Sequence, residues 1–508
     1  MQDSIAQIIT DAAQRFGDKT ALIIGGQHFS YARLEALSNQ VANGLVASGV
    51  SAGDRVTLYG ANAWEWVVSY YGVLKTGAVV NPINVMLTPA EVEYVVEDCG
   101  AKVIIASREK GLPLIGLETR SSIEALILYG DDIPAEATAF EQLIEGGSEV
   151  FASPSIDPDS LSTIRYTSGT TGKPKGAMLS HKAVITNFMM TALMHGRSEN
   201  DVVVTALPCP HVYGNVVMSA CFQNGGTLVL HSLFDPELAL ESIEQHQATI
   251  FDGVPTMYMY MLESPSIDKR DLSSMRLCVV GGQTMPPAKM EQVESKFDCP
   301  LMELWGMTEL AGPGTTFAHN GNYRHGSIGV PIPYVQAKVM DTENPAVEMP
   351  TGETGELLIR GPIVMQGYFG NEAATQEVLS ADGWLRTGDV ARIDENGFIV
   401  IVDRIKDMIL TAGFNIYPAE LEHTIASHPD VAMVAVGPIP DEDKGELAKA
   451  YIVLKQGASP SAEDILTFCR EHLAAYKVPR DIQFVDDLPK TSTGKIMRRE
   501  LIKLHESS

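Results

Sequence analysis

The sequence predicts an α/β chain in two lobes: a large N-terminal lobe of parallel-sheet subdomains with a small β-rich subdomain, then a small α+β C-terminal lobe. Three observations carry this expectation. Helix-like and strand-like apolar periods alternate before and after a Pro/Ser/Asp-rich connector at 151–160, and such alternation builds mainly parallel sheets covered by helices. Around 325–402 the pattern shortens to strands punctuated by Gly and Pro. After Arg404 a compact α+β pattern restarts, which sets the lobe junction near 403–406 and the two units at 1–404 and 405–508.

Taken in order, Ile5, Ile8, Ile9, Ala12 and Phe16 follow helical spacing. Residues 21–24 and 27–29 flank Gly25-Gly26 and read as a hairpin. Ser30 is a candidate cap for a helix whose inner stripe is Leu34, Leu37, Val41 and Leu45. Strands at 55–59, 78–80 and 103–106 then alternate with helices near 63–75 and 88–97. A second alternating block runs from about 161 to 310, within which 202–234 reads as a buried strand–turn–helix–strand. Short strands are expected at 327–330, 335–340, 355–360 and 399–402. The last unit offers strands at 433–436 and 450–454 and a helix at 462–473.

Composition excludes several classes. The net charge is −27, so a basic footprint for nucleic acid is missing and any polyanion must be held by a few local cations and backbone amides. Six cysteines without a CxxC pair are too few and too scattered for a disulfide scaffold, and read as buried reduced thiols. The N-terminus lacks the pattern of a signal peptide, and the uncharged stretch at 202–234 is broken by Pro208, Pro210, Gly214, Gly225 and Gly226, so no bilayer span is expected. Those features point to a cytoplasmic protein.

The densest chemical signal is YTSGTTGKPKG at 166–176. Five hydroxyl side chains and three glycines in eleven residues offer donors and close backbone approach for phosphate oxygens. It is not a Walker loop: Gly169 to Gly172 is too short, and Lys173 precedes Pro174 where Ser or Thr would hold Mg²⁺. Four further segments follow: LWGMTE (304–309), LRTGD (385–389), DRIKDMI (403–409) with Gly413, and PKTSTGK (489–495). In this order they resemble the motifs of the adenylate-forming superfamily of acyl-CoA synthetases, aryl-CoA ligases, luciferases and peptide-synthetase adenylation domains. The resemblance covers essentially the whole chain and is nearest to bacterial fatty-acyl and aryl-CoA ligases.

That resemblance implies ATP-dependent conversion of a carboxylic acid to an acyl adenylate, then transfer to CoA. It assigns ATP contacts to Thr167, Ser168, Gly169, Thr170, Thr171 and Lys173, and to the strand-end residues Gly281, Gly282, Gln283, Trp305, Gly306, Met307 and Thr308. Asp389 would accept the ribose hydroxyls, and Arg404 would meet phosphate or ribose. Trp305 stands where the family usually has Tyr: the stacking face survives, the hydroxyl contact does not. Lys495, on a mobile C-terminal lobe, would bridge carboxylate and phosphate as a point charge, with Thr308, Glu309 and His211 as further catalytic residues. Glu309 and Ser168 would hold Mg²⁺. Lys406 matches the hinge position that lets one cleft serve both half-reactions.

His211 matches a gating aromatic beside the acyl pocket, whose wall would come from Tyr213, Val216, Val217, Gly306 and Met307; Gly413 and His211 would line the CoA tunnel. Because 202–234 carries no charge, neither a buried carboxylate for an ammonium nor a buried Arg for a second carboxylate is expected there, which favours a hydrophobic monocarboxylic acid, fatty or aromatic. An adenylation module loading a carrier protein and a non-catalytic acyl-adenylate or nucleotide sensor stay open as alternatives, as does a homodimer.

Overall fold

The computed structural model describes residues 3–117, 121–167, 174–411, 414–441, 445–491 and 496–506. Two large sheets dominate. The first has seven strands, in the order Leu301–Glu303, Leu277–Val280, Ile250–Gly253, Val202–Thr205, Thr227–Leu230, Thr20–Ile24 and Gln27–Ser30, all parallel except the last. The second has eight. Its parallel part runs from Leu161–Thr167 through Val79–Pro82, Arg55–Tyr59, Ala101–Ser107 and Ala125–Tyr129 to Thr138–Ala139, and Lys175–Ser180 and Gly367–Tyr368 add an antiparallel edge.

Local chemistry explains the first elements. Gly25 and Gly26 both hold positive φ, the geometry of a tight hairpin turn, and join Thr20–Ile24 to Gln27–Ser30. Ser30 Oγ accepts the Arg33 N–H at 3.1 Å and caps Tyr31–Ala47, whose Leu34, Leu37, Val41 and Leu45 are buried. Thr88 and Glu91 form a reciprocal capping box on Pro89–Cys99. Residues 202–234 fold as strand Val202–Thr205, helix Val212–Asn224 and strand Thr227–Leu230. All six cysteines are unpaired and buried.

One expectation changes, and one strand not expected is found. Of residues 327–330 only Val330 is strand, in Val330–Pro331, because Gly329 turns the chain at φ +82° and a Cβ there would stand 2.2 Å from the Thr316 carbonyl oxygen. Conversely, LRTGD, which carries a turn-like Gly, lies inside the nine-residue strand Leu385–Ile393. Gly388 takes φ +72° there, next to the irregular register opposite Glu356 and Leu358.

That strand belongs to a four-stranded antiparallel sheet with Gln336–Met340, Gly355–Arg360 and Ile399–Arg404. Beyond Arg404 a five-stranded sheet is built on the long hairpin Val431–Asp441 and Gly445–Leu454. It has its own apolar clusters, one around Ile409, Leu421, Ile425, Val436, Ile452 and Ile465, while the main core joins both large sheets.

Candidate active site

Parallel strands of the seven-stranded sheet end together at one crevice, the place where open α/β sheets bind ligands. Residues 281–283 follow Leu277–Val280, and residues 304–306 follow Leu301–Glu303. Backbones are close here: a Cβ on Gly281 would lie 2.4 Å from Leu304 Cδ1, and one on Gly306 2.2 Å from the Gly312 carbonyl oxygen. Gly282 holds φ +88°. Gly282, Gln283, Trp305, Gly306, Asp389, Arg404 and Lys406 line a cavity of about 380 Å³, joined from the small lobe by Thr491, Ile496 and Arg498. That volume falls in the range of small-molecule sites.

Asp389 is held from two sides in the cleft. It is buried on Leu385–Ile393, directly opposite Arg404 in the register with Ile399–Arg404. Arg404 Nε donates to its Oδ1 at 2.9 Å, and the Trp305 indole N–H donates to its Oδ2 at 2.7 Å. Glu303 also lines the cavity, and burial pushes its carboxyl up to about 8.

Met307, Thr308 and Glu309 are not part of this cavity lining; they run on toward the Thr/Gly hairpin. Glu309 is buried, its Oε1 accepting the Tyr368 hydroxyl at 2.8 Å. Tyr368 pairs with Ala177 on the hairpin strand, and Lys175 Nζ sits 5.3 Å from its ring centre. Thr167 pairs with Lys175 across the base of that hairpin. Ser168, Gly169, Thr170, Thr171 and Lys173 lie outside the described residues, as do Gly413 and Lys495. Among the described residues no three His, Cys, Asp or Glu side chains gather as a metal cage. A single buried carboxylate such as Glu309 suits Mg²⁺ as a donor, since that ion keeps waters and substrate phosphates as its other ligands.

On the acyl side, His211 is exposed and caps Val212–Asn224, its Nδ1 accepting the Tyr213 N–H at 3.3 Å. Tyr213, Val216 and Val217 are buried, and Val216 Cγ2 would lie 2.7 Å from a Cβ on Gly312. Here the expectation of a charge-free surrounding is corrected. Arg197 and Asp252 form a buried ion pair at 2.7 Å, and the Tyr213 hydroxyl lies 3.5 Å from Asp252 Oδ1 while donating to the Val279 carbonyl at 3.2 Å. Buried Arg165 donates to the Pro210 carbonyl. Both arginines come from elements before residue 202, so a scan of 202–234 alone does not meet them.

The small lobe is docked on the cleft. Ile496 N–H donates to Gln283 Oε1 at 2.8 Å, and Lys490 Nζ meets the Tyr260 hydroxyl at 2.7 Å. Lys490 and Ile496 bridge each other, so both of these large-lobe contacts come from one paired stretch of the small lobe. Lys289 donates to the Val431 carbonyl at 2.9 Å, and burial brings its ammonium down to about 8. Arg498 reaches Asp403 at 2.9 Å, Asp407 at 3.4 Å and Glu422 at 2.6 Å, and so spans both sides of the single turn Ile405–Asp407 that holds Lys406. Sequence reasoning missed Glu303, Lys289, Tyr368 and Arg498 as site residues. Arg498 reads in sequence as one more cation of a basic tail, and Tyr368 as part of a Gly-flanked turn.

Residues 9–369 match the model of AMP-binding enzymes, and residues 420–495 that of the AMP-binding enzyme C-terminal domain. The chain belongs to the adenylate-forming, AMP-binding family. Among curated members it is 35% identical to the long-chain-fatty-acid–CoA ligase of Bacillus subtilis (strain 168), over 98% of this chain and 94% of that one. Among solved structures it resembles the anthranilate CoA ligase AuaEII in complex with anthranoyl-AMP, with a TM-score of 0.93 and 29% identity over the whole of both chains. Against ATP-bound MatB from Rhodopseudomonas palustris the TM-score is 0.90, with 31% identity over 100% of this chain and 99% of that one. As a family member it is an AMP-forming acid–thiol ligase of the acyl-CoA synthetase type that binds ATP and an acid. None of the described helices is long and apolar enough to cross a membrane.

Proposed function

We propose that the chain activates a hydrophobic monocarboxylic acid, fatty or aromatic, and transfers it to CoA. A carboxylate is a poor acyl donor because its leaving group is oxide. In the first half-reaction the acid's carboxylate oxygen attacks the α-phosphorus of ATP, the bond to the bridging oxygen breaks, and pyrophosphate leaves. In the second, the CoA sulfur attacks the acyl carbon and AMP departs. The main demand is to hold the reactants in line and neutralise phosphate charge.

Asp389, Arg404, Trp305 and the 281–283 loop hold the nucleoside end. The Thr/Gly segment with Thr167, Ser168 and Lys173 would cradle the phosphates, and Lys495 would act at the α-phosphate; its described neighbours Lys490 and Ile496 touch Tyr260 and Gln283. Glu309, oriented by Tyr368, and Ser168 would hold Mg²⁺, which supplies charge neutralisation across the phosphates. The lobes divide at 404/405. Rotation at Lys406 withdraws Lys495 and brings Gly413 to a thiol path that His211 of the large lobe lines.

The single observation that supports this most is the cavity shared by the strand-end loops, Asp389 and the small-lobe residues Thr491 and Ile496. A monocarboxylic substrate is favoured because the charge of Arg197 is already matched by Asp252. The fatty-acid and anthranilate ligases among its relatives support an apolar scaffold. Purified protein with ATP, Mg²⁺, CoA and a panel of fatty, aromatic and dicarboxylic acids tests it. Thioester formation with the apolar acids is expected. Pyrophosphate release without thioester points to a carrier-protein acceptor, no turnover points to a sensor, and preference for a dicarboxylate overturns the substrate class.

A further inference from the structure

The geometry points to Trp305 as a positioning residue that fixes Asp389 for ribose recognition, in addition to offering a stacking face. This deepens the nucleotide reading above and rests on it. A carboxylate has about four lone-pair positions, and it reads a vicinal diol well only when its plane is held. Asp389 starts with one donor from its own sheet: Arg404 sits opposite it and donates to Oδ1 at 2.9 Å. That bond alone leaves the other oxygen to swing. The second donor comes from a different sheet, where the indole N–H of Trp305 meets Oδ2 at 2.7 Å. Each oxygen is thus engaged once, which leaves one further lone pair on each for a hydroxyl from the cleft that Trp305, Asp389 and Arg404 all line.

The indole is itself fixed. Trp305 begins the short strand Trp305–Met307, and its pairing with Thr315 is followed by a register shift before Gly306. Its six-membered ring lies against Gly314, where a Cβ would stand 3.1 Å from Cζ3 and push the ring outward by a few tenths of an ångström. Asp389 is 3% exposed, so a lost donor is not readily replaced by bulk water. A phenylalanine at 305 keeps an aromatic face and loses the N–H. It therefore separates stacking from positioning.

The test uses the full chain and equilibrium binding of ATP and of 2′-deoxyATP, read by calorimetry and by the quenching of tryptophan fluorescence, so no acid substrate has to be known. The native chain is expected to prefer ATP. In Trp305→Phe the affinity for ATP falls about tenfold, the size of one hydrogen bond to a charged group, while that for 2′-deoxyATP changes little and the preference narrows. Asp389→Ala narrows it in the same way, and the double variant adds nothing further. Equal weakening of both nucleotides in Trp305→Phe, with the preference intact, overturns the proposal and leaves stacking alone. No preference in the native chain instead removes the ribose role of Asp389 itself. Should Trp305→Phe melt early, Arg404→Met reads the other donor: lost phosphate attraction weakens both nucleotides alike, so only a narrowed ratio supports the clamp and an unchanged ratio opposes it.

Discussion

The proposed nucleotide and acyl sides of the cleft both draw on the seven-stranded sheet, but by opposite means. On the nucleotide side, loops after Leu277–Val280 and Leu301–Glu303 bring backbone to the surface, and charged groups such as Asp389 and Arg404 arrive already paired at the edge of a cavity. On the acyl side, the helix Val212–Asn224 is buried along most of its length, and the charges near it, Arg197 with Asp252, are sealed inside. A site for a fixed cofactor-like substrate can be assembled from short motifs at strand ends. A pocket for a variable acid is walled by side chains from distant elements, and its polarity depends on how those charges pair.

Four experiments break or sharpen that contrast. The largest effect is expected from Asp252→Leu, which leaves the Arg197 guanidinium buried without its counter-charge and costs about 3–5 kcal/mol of stability. Arg197→Met combined with Asp252→Leu should restore most of it, as read from denaturant midpoints. If Asp252→Leu is neutral, the pair is not sealed and the acyl side is wetter than described.

Next, Lys495→Ala should slow adenylation by about 10²–10³-fold, the scale of a lost charge-stabilising donor, and leave thioester formation from supplied acyl adenylate largely intact. Equal loss in both half-reactions would show that this lysine is not specific to the first.

A smaller effect concerns Glu303. Its folded carboxyl keeps a proton up to about 8, while an unfolded glutamate loses it near about 4.3. Between those values the folded chain binds the extra proton, so this group's stabilising contribution, full below the unfolded value, is lost as pH rises through the window. Glu303→Gln should flatten the fall in melting temperature from pH 5 to pH 8; an unchanged slope would exclude Glu303 as its source. Smallest is Ser30→Ala, which removes a helix cap far from the cleft and should cost about 1 kcal/mol with activity per folded molecule unchanged.

Much of this was legible beforehand. The hairpin at Gly25-Gly26, the Ser30 cap and the strand–helix–strand at 202–234 are local, and each follows from side-chain period or turn chemistry within a few residues. Gly282, Gln283, Trp305, Gly306, Asp389, Arg404 and Lys406, named from motifs as expected nucleotide contacts, share one cavity. Other features were not legible. Leu385–Ile393 was hidden because its Gly388 bulge looks like a turn. Arg197 lies 55 residues from Asp252 in the chain, and nothing in either segment indicates the other.

By itself the sequence determined which segments become strands and helices, where they are capped, and which chemical groups stand at the strand ends, since those depend on neighbours within a turn or two. Only the tertiary structure decided that the Trp305 indole reaches Asp389, that Tyr368 holds Glu309, and that Arg498 straddles the turn around Lys406. The physical reason is that a hydrogen bond or ion pair is set by angstrom-scale placement of two groups, and sheet register with core packing, summed over the whole chain, fixes that placement.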